Sequence, residues 1–270
     1  MTTAVIVQAR TRSRRLPGKV LLPLAGAPVL QRMLERVKAS GVSFELVVAT
    51  TTDPADDDIV DLCRRIDVRS YRGDEADLLE RHRQAALSVG AEVVAKVPSD
   101  CPLIDPEAIR LVLEAFHVGG SGLDYLSNLH PPSWPDGNDV EVMSMEALSV
   151  ACAHARAPHE REHTTPFIWD QPERFNVRNV EFPDGRDLSM SHRFTIDYVE
   201  DYLLIRAVYD ALYTPERPIF SLREILSLLE ANPAIAELNA AYRGVNWYHH
   251  HLGELRTIDP GQTRAAPRRS

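Results

Sequence analysis

The chain has 270 residues, 44% of them apolar, enough to bury the core of one large domain. Thirty Lys and Arg stand against 39 Asp and Glu, and the resulting charge of -9 argues against general binding to nucleic acid or an anionic membrane. Cys63, Cys101 and Cys152 have no paired spacing and no apolar run is long enough to span a bilayer, so a reducing cytoplasm is expected.

The apolar run Ala4-Val5-Ile6-Val7 reads as a first strand, and it delivers the loop Gln8 to Lys19 to the carboxyl edge of a sheet. Arg10, Arg12, Arg14, Arg15 and Lys19 crowd this loop. Guanidinium groups grip phosphate oxygens through paired, charge-assisted hydrogen bonds, and ligands of open α/β sheets collect beyond the carboxyl strand ends. The loop is therefore expected to hold a polyphosphate, against the plainer alternatives of a solvated basic turn or a nucleic-acid patch. Three- and four-residue apolar spacing from Pro28 to Val37 predicts a helix, and Glu45 to Thr51 a buried parallel strand. Asp53-Pro54 has the chemistry of a helix start, with Asp53 as cap. A third strand is expected over Val68 to Tyr71, a helix from Leu78 to Val89, and a fourth strand over Glu92 to Val97, ending in Pro98-Ser99-Asp100-Cys101-Pro102. This β-then-α alternation predicts an α/β fold with a parallel sheet and right-handed crossovers.

The second half is less regular. Leu123 to Asn128 and Asp139 to Met143 read as strands around a rigid loop, His130 to Asn138. Helices are expected over Met145 to Ala155, after Pro166, over Val199 to Leu212 and over Leu222 to Leu229. Strands are expected over Phe175 to Phe182 and Arg193 to Asp197, and a frayed tail after residue 255.

Asp100 and Asp197 each follow an apolar strand, so both carboxylates are presented at the edge that carries the basic loop. Together they could grip one Mg2+ beside bound phosphates; singly, each could be no more than a helix cap. Arg161 and His163 could recognise an anion, or Arg161 could pair with Glu160 or Glu162 and His163 could pack between helices. His249-His250-His251 invites a metal reading. Consecutive histidines point in different directions, however, so a surface run is the simpler expectation. Cys101 has no histidine at a diagnostic spacing and reads as a small buried residue.

The run Gln8-Ala9-Arg10, Ser13, Arg15-Leu16-Pro17-Gly18-Lys19-Val20-Leu21 resembles the signature of the cytidylyltransferases that activate acidic sugars, the CMP-acylneuraminate and CMP-Kdo synthetases. The likeness is nearest to the spore-coat polysaccharide biosynthesis SpsF-like branch. It continues through Val48-Ala49-Thr50-Thr51, Arg72-Gly73, Asp100 to Asp105, Pro135-Asp136-Gly137 with Asp139-Val140-Glu141, Arg161-Glu162-His163 and Arg193 to Asp201, and so covers about residues 4 to 210. The resemblance implies a nucleotide-diphospho-sugar transferase fold of glycosyltransferase-A type, a mixed, mainly parallel sheet flanked by helices. It implies a single domain over 1–255, with a nucleotide half (4–120), an acceptor and dimerisation half (121–220), a helical extension (221–255) and a flexible tail (256–270). It implies Mg2+-dependent transfer of CMP from CTP to a small anionic acceptor by a homodimer, for surface polysaccharide or glycoconjugate synthesis. By position, Arg10, Arg15 and Lys19 would be catalytic. Gln8, Ala9, Arg10, Ser13, Arg15, Lys19, Thr50, Thr51, Arg72, Ser99 and Asp100 would bind nucleotide. Asp136, Asp139, Glu141, Arg161, His163 and Arg193 would meet the acceptor, and Asp100 and Asp197 would hold the metal. Arg12 and Arg14 stand where relatives commonly have small residues. A nucleotidyltransferase of other specificity, a glycosyltransferase and a non-catalytic nucleotide-binding partner are the competing expectations.

Overall fold

The computed structural model describes residues 1–120 and 122–267. A seven-stranded sheet forms its centre. In chain order the strands are β1 (Thr3–Gln8), the hairpin pair β2 (Pro23–Leu24) and β3 (Ala27–Pro28), β4 (Glu45–Thr51), β5 (Arg69–Gly73), β6 (Val93–Pro98), β7 (Tyr125–Ser127), β8 (Glu141–Ser144) and β9 (Val177–Asn179). The large sheet runs β5-β4-β1-β6-β8-β7-β9. Its first four members are parallel, as the alternation predicts, and β8 then enters antiparallel to both β6 and β7.

The apolar strands bury both faces. Along β1, Val5 and Val7 pack under the helices α1 (Val29–Lys38), α2 (Asp57–Arg65) and, further on, α4 (Pro106–Gly119). Ala4 and Ile6 face the opposite layer, formed by α3 (Leu78–Leu87) and α5 (Met145–His154). Each fully buried Val, Leu or Ile contributes roughly 1.5–3 kcal/mol, so the period-two split of one strand between two cores fixes its register. The short helices α6 (Pro158–His163) and α7 (Pro166–Trp169) follow α5. A third core joins α8 (Val199–Leu212) and α9 (Leu222–Ala231) to Phe194, Ile196 and Leu103. Caps set the helix starts: Asp53 accepts from the Ala55 amide, Asp77 from Glu80 and Asp105 from Glu107. Asp105 also accepts from the Leu222 amide at 2.6 Å, tying α4 to α9.

Two expectations are corrected. Arg193 to Asp197 is not a strand of the sheet but an extended segment, held by Phe194 N–H on Asp136 O (2.7 Å) and Ile196 N–H on Asp100 O (2.8 Å). Its apolar residues alternate because Phe194 and Ile196 pack into the third core while Arg193, Thr195 and Asp197 face the polar side, not because a ladder runs alongside. The segment after residue 255 does not fray at once: Asp170 accepts the amides of Arg256 and Thr257, and Ile258 is buried. The end of the expected tail, 268–270, lies outside the described residues. Among the described residues no helix is long and apolar enough to cross a membrane.

Candidate active site

Register brings the site together. Gln8 at the end of β1 lies opposite Pro98 at the end of β6, and Lys96 lies opposite Glu141, the first residue of β8. Because β8 is antiparallel, the loop before it, Pro135 to Val140, arrives at the same edge where β6 delivers Asp100. Gly137 permits this approach. Its φ is +96°, and a Cβ there would sit 2.6 Å from the carbonyl carbon of Phe194, so only glycine lets the 193–197 segment close onto the loop.

At this edge the basic loop turns inward. Thr11 donates through its amide and hydroxyl to buried Asp56, both at 2.7 Å, which anchors the loop to the segment after β4. Gly18, at φ +72°, then swings Lys19 under the sheet edge. The buried Lys19 ammonium donates to Asp100 Oδ2 (2.5 Å), Asp197 Oδ1 (2.9 Å) and Ile196 O (2.6 Å). Burial disfavours this ammonium, but the two aspartates outweigh it and hold the lysine above its ordinary range. Arg15 reaches Asp197 from the solvent side at 2.5 Å. Below it lies Arg193, 2% exposed, which pairs with Asp136 (2.8 Å), Asp197 (2.9 Å) and Asp201 (3.0 Å). Burial works against the Asp197 carboxylate, yet Lys19, Arg15 and Arg193 together hold it well below the usual carboxylate range. Asp201, the third residue of α8, in turn accepts the amides of Asp197 and Tyr198, so the N-cap position is Tyr198, not Asp197.

Beside the cluster opens a cavity of about 240 Å³, lined by Gln8, Arg15, Asp100, Asp136, Asp139, Glu141, His163, Arg193 and Asp197 together with residues from later in the chain. Glu141 accepts from Lys96 (2.5 Å) and from the Tyr125 hydroxyl (2.7 Å). Burial would raise its pKa, but Lys96 reverses that and keeps it ionised. At Asp139 burial, reinforced by the charge of Asp136, outweighs the pull of Lys96 and pushes the carboxyl well above the usual range. The far wall is aromatic, with His163 stacked on Trp247 at 3.8 Å and His130 on Trp169 at 4.0 Å. Burial, followed by the charge of Lys96, keeps the His163 imidazole neutral.

Not every expected residue reaches this cavity. Arg10 meets Glu75 at 3.3 Å, and exposed Arg12 meets Asp53 at 2.6 Å. Arg14 is exposed, Ser13 faces Leu16, and Ala9 and Ser99 are buried. Thr51 donates to Asp56, and the Thr50 hydroxyl is buried with no hydrogen bond within the protein. Arg72 spends its guanidinium on Thr51 O, Asp53 O and Asp57. Arg161 pairs with Asp77 (2.9 Å) and with the carbonyls of Cys152 and Ala155, which points it at α3 rather than into the cavity. Neither glutamate beside it in sequence is its partner. Sequence reasoning passed over Lys96, Asp201 and the wall of His130, Trp169, Trp247 and Tyr248. Lys96 carried one signal, a lone cation inside the apolar strand Val93 to Val97.

The donor set fits a hard divalent ion. Two carboxylate oxygens, from Asp100 and Asp197, converge on one cationic position, here the Lys19 ammonium, and oxygen-only ligation suits Mg2+.

The profile of the cytidylyltransferase family matches residues 4–246. The spore coat polysaccharide biosynthesis protein SpsF of Bacillus subtilis (strain 168) is 33% identical over 236 residues, 86% of this chain and 95% of that protein. A 3-deoxy-manno-octulosonate cytidylyltransferase of Geobacter sulfurreducens is 30% identical over 209 residues, 76% of this chain and 78% of that enzyme. A solved cytidylyltransferase structure from Leptospira borgpetersenii serovar Hardjo-bovis superposes with a TM-score of 0.82 at 31% identity, over 88% of this chain and 97% of that one. The chain belongs to the cytidylyltransferase family, and it is a nucleotidyltransferase with the nucleotide-diphospho-sugar transferase fold.

Proposed function

We propose that this enzyme transfers CMP from CTP to a sugar acid, with Mg2+ as cofactor and pyrophosphate as the second product. The observation that carries the reading is the meeting of the Lys19 ammonium with Asp100 and Asp197, two carboxylates that line the 240 Å³ cavity. An oxygen of the acceptor attacks the α-phosphorus in line with the departing pyrophosphate, a reaction that asks for alignment and charge neutralisation more than for covalent chemistry. Asp100 and Asp197 would hold the Mg2+, which neutralises phosphate charge when bound. Lys19, displaced from the aspartates, and Arg15 would meet the leaving pyrophosphate. Gln8 Oε1, which lines the cavity and is buried without a hydrogen bond in the protein, is free to read the cytidine. Arg10 and Arg72 would flank it at the same sheet edge.

The aromatic wall supports a ring-shaped acceptor, and Ser189, Thr195, Asn246 and Gln262 bring hydroxyl-binding groups to the cavity. Arg15 and Lys96 supply positive charge for an acidic function. The activities in the names of the relatives are consistent with a sugar acid destined for a surface glycoconjugate. A cytoplasmic homodimer belongs to the same reading, and sedimentation tests its stoichiometry.

Pyrophosphate release is the direct test, measured with CTP, UTP, ATP and GTP against panels of sugar acids and of phosphate- or phosphonate-bearing metabolites. CTP with a sugar acid should turn over, and Asp100→Asn should slow it by about 100-fold or more. Turnover with another nucleotide would overturn the cytidine assignment, and turnover with only a phosphorylated metabolite would overturn the sugar acid.

A further inference from the structure

The histidine run near the C-terminus plays no part in the chemistry above, yet one of its members has company. His251 Nδ1 lies 2.5 Å from Glu254 Oε2, and that same oxygen lies 3.3 Å from Nδ1 of His159 on α6. All three ligand atoms fall within 4.8 Å of one another. The His159 side chain is 9% exposed, and its Nδ1, though 3.3 Å from that carboxylate oxygen, makes no hydrogen bond. A buried imidazole nitrogen left in this state is costly unless something else satisfies it.

We propose that His159, His251 and Glu254 form a binding site for a single zinc ion, separate from the carboxylates of the active site. Around a tetrahedral zinc with bonds of about 2.0–2.1 Å, neighbouring ligand atoms stand about 3.3 Å apart. The His159 to Glu254 spacing already has this value, and the His251 to Glu254 contact needs to open by less than about 1 Å. Two imidazoles and one carboxylate favour zinc over magnesium, which takes oxygen ligands. His249 and His250 lie against each other at 4.3 Å between ring centroids and take no part.

The site joins two segments that wall the cavity. Helix α6 carries His163, and the segment from Trp247 to Glu254 carries Trp247 and Tyr248; all three line the cleft. An ion held between His159 and His251 fastens these segments together and fixes the stack of His163 on Trp247. The ion is therefore structural, a clasp on the acceptor side of the site.

The test is calorimetric titration of ZnCl2 into the chelator-stripped, dialysed full chain, with thermal unfolding followed in parallel. One ion per chain should bind, with a rise in Tm of roughly 5 °C at a hundredfold excess over Kd. Glu254→Gln, at an exposed position that should leave the fold intact, and His251→Ala should each weaken binding at least tenfold, on the order seen when a ligand shell is disturbed. The double change His249→Ala with His250→Ala should leave it unchanged, and millimolar Mg2+ should not displace the zinc. Absence of saturable binding would overturn the proposal, as would wild-type binding by Glu254→Gln and His251→Ala, or loss of binding in the His249 and His250 variant.

Discussion

Replacing Lys19 by methionine is expected to lower kcat by about 10²–10³ while the chain stays folded. Among the described residues the ammonium is the one cation in contact with both Asp100 and Asp197, and methionine keeps the apolar stem while deleting the charge. In the reaction its target is the pyrophosphate, where negative charge grows as the bond breaks; removal of one donor aimed at such charge costs about 3–4 kcal/mol of barrier. A second consequence separates this role from mere packing. With the ammonium gone, the two carboxylates lose the cation that competes for their position, so Mg2+ should bind the nucleotide-free variant more tightly than it binds the wild type. Asp197 remains paired with Arg15 and Arg193, and Asp100 is a quarter exposed, so the loss of stability should be modest. Lys19→Arg should rescue poorly, because a planar fork does not fit among two carboxylates and the Ile196 carbonyl. Steady-state kinetics and magnesium titration check both points. A kcat within tenfold of wild type would remove Lys19 from the chemistry.

Arg193→Met should have its largest effect on stability rather than turnover. The guanidinium is 2% exposed and serves Asp136, Asp197 and Asp201 as well as the carbonyl of Val245. Deleting it leaves Asp136 and the fully buried Asp201 without their cation, while Asp197 keeps Lys19 and Arg15, and breaking a buried ion pair by removing one partner typically costs about 3–5 kcal/mol. For a chain of this size that is a fall in Tm on the order of 10 °C. Arg193→Lys should recover only part of it, since a single compact ammonium cannot span the contacts that Nε, Nη1 and Nη2 make to Asp201, Asp136, Asp197 and the Val245 carbonyl. Urea unfolding measures the difference, and a loss below about 1 kcal/mol would show that the carboxylates find other partners. Arg193 was expected to greet the acceptor. It lines the cavity and also braces Asp197, which Lys19 contacts from the other side.

The parallel half of the fold was legible because its signals are local. Continuous apolar runs such as Glu45 to Thr51, and the pairing of Asp53 with Pro54, describe buried strands and capped helices without reference to distant residues. The end of β6 and the basic loop could likewise be placed at one edge by topology alone, which brings Lys19 and Asp100 together; Asp197 was put there by an expected strand that is in fact an extended segment. What the sequence hid depends on long-range closure. Asp56 beneath Thr11, Asp201 beneath Arg193 and Asp77 beside Arg161 are separated from their partners by 45, 8 and 84 positions, and nothing in their neighbourhoods marks them out. The extended segment at Arg193 imitates a strand because Phe194 and Ile196 pack into the third core while Arg193, Thr195 and Asp197 face the polar side. The aromatic wall escaped notice because His130, Trp169 and Trp247 come from three separate stretches and meet only in the folded chain.

The central claim, that two aspartates shared with Lys19 form the metal end of a nucleotide site, reduces to a single titration. Calorimetric binding of CTP should tighten at least tenfold when Mg2+ replaces EDTA in the wild type, and that gain should vanish in Asp100→Asn. Equal affinity with and without the ion, or a gain left intact by the substitution, would contradict it.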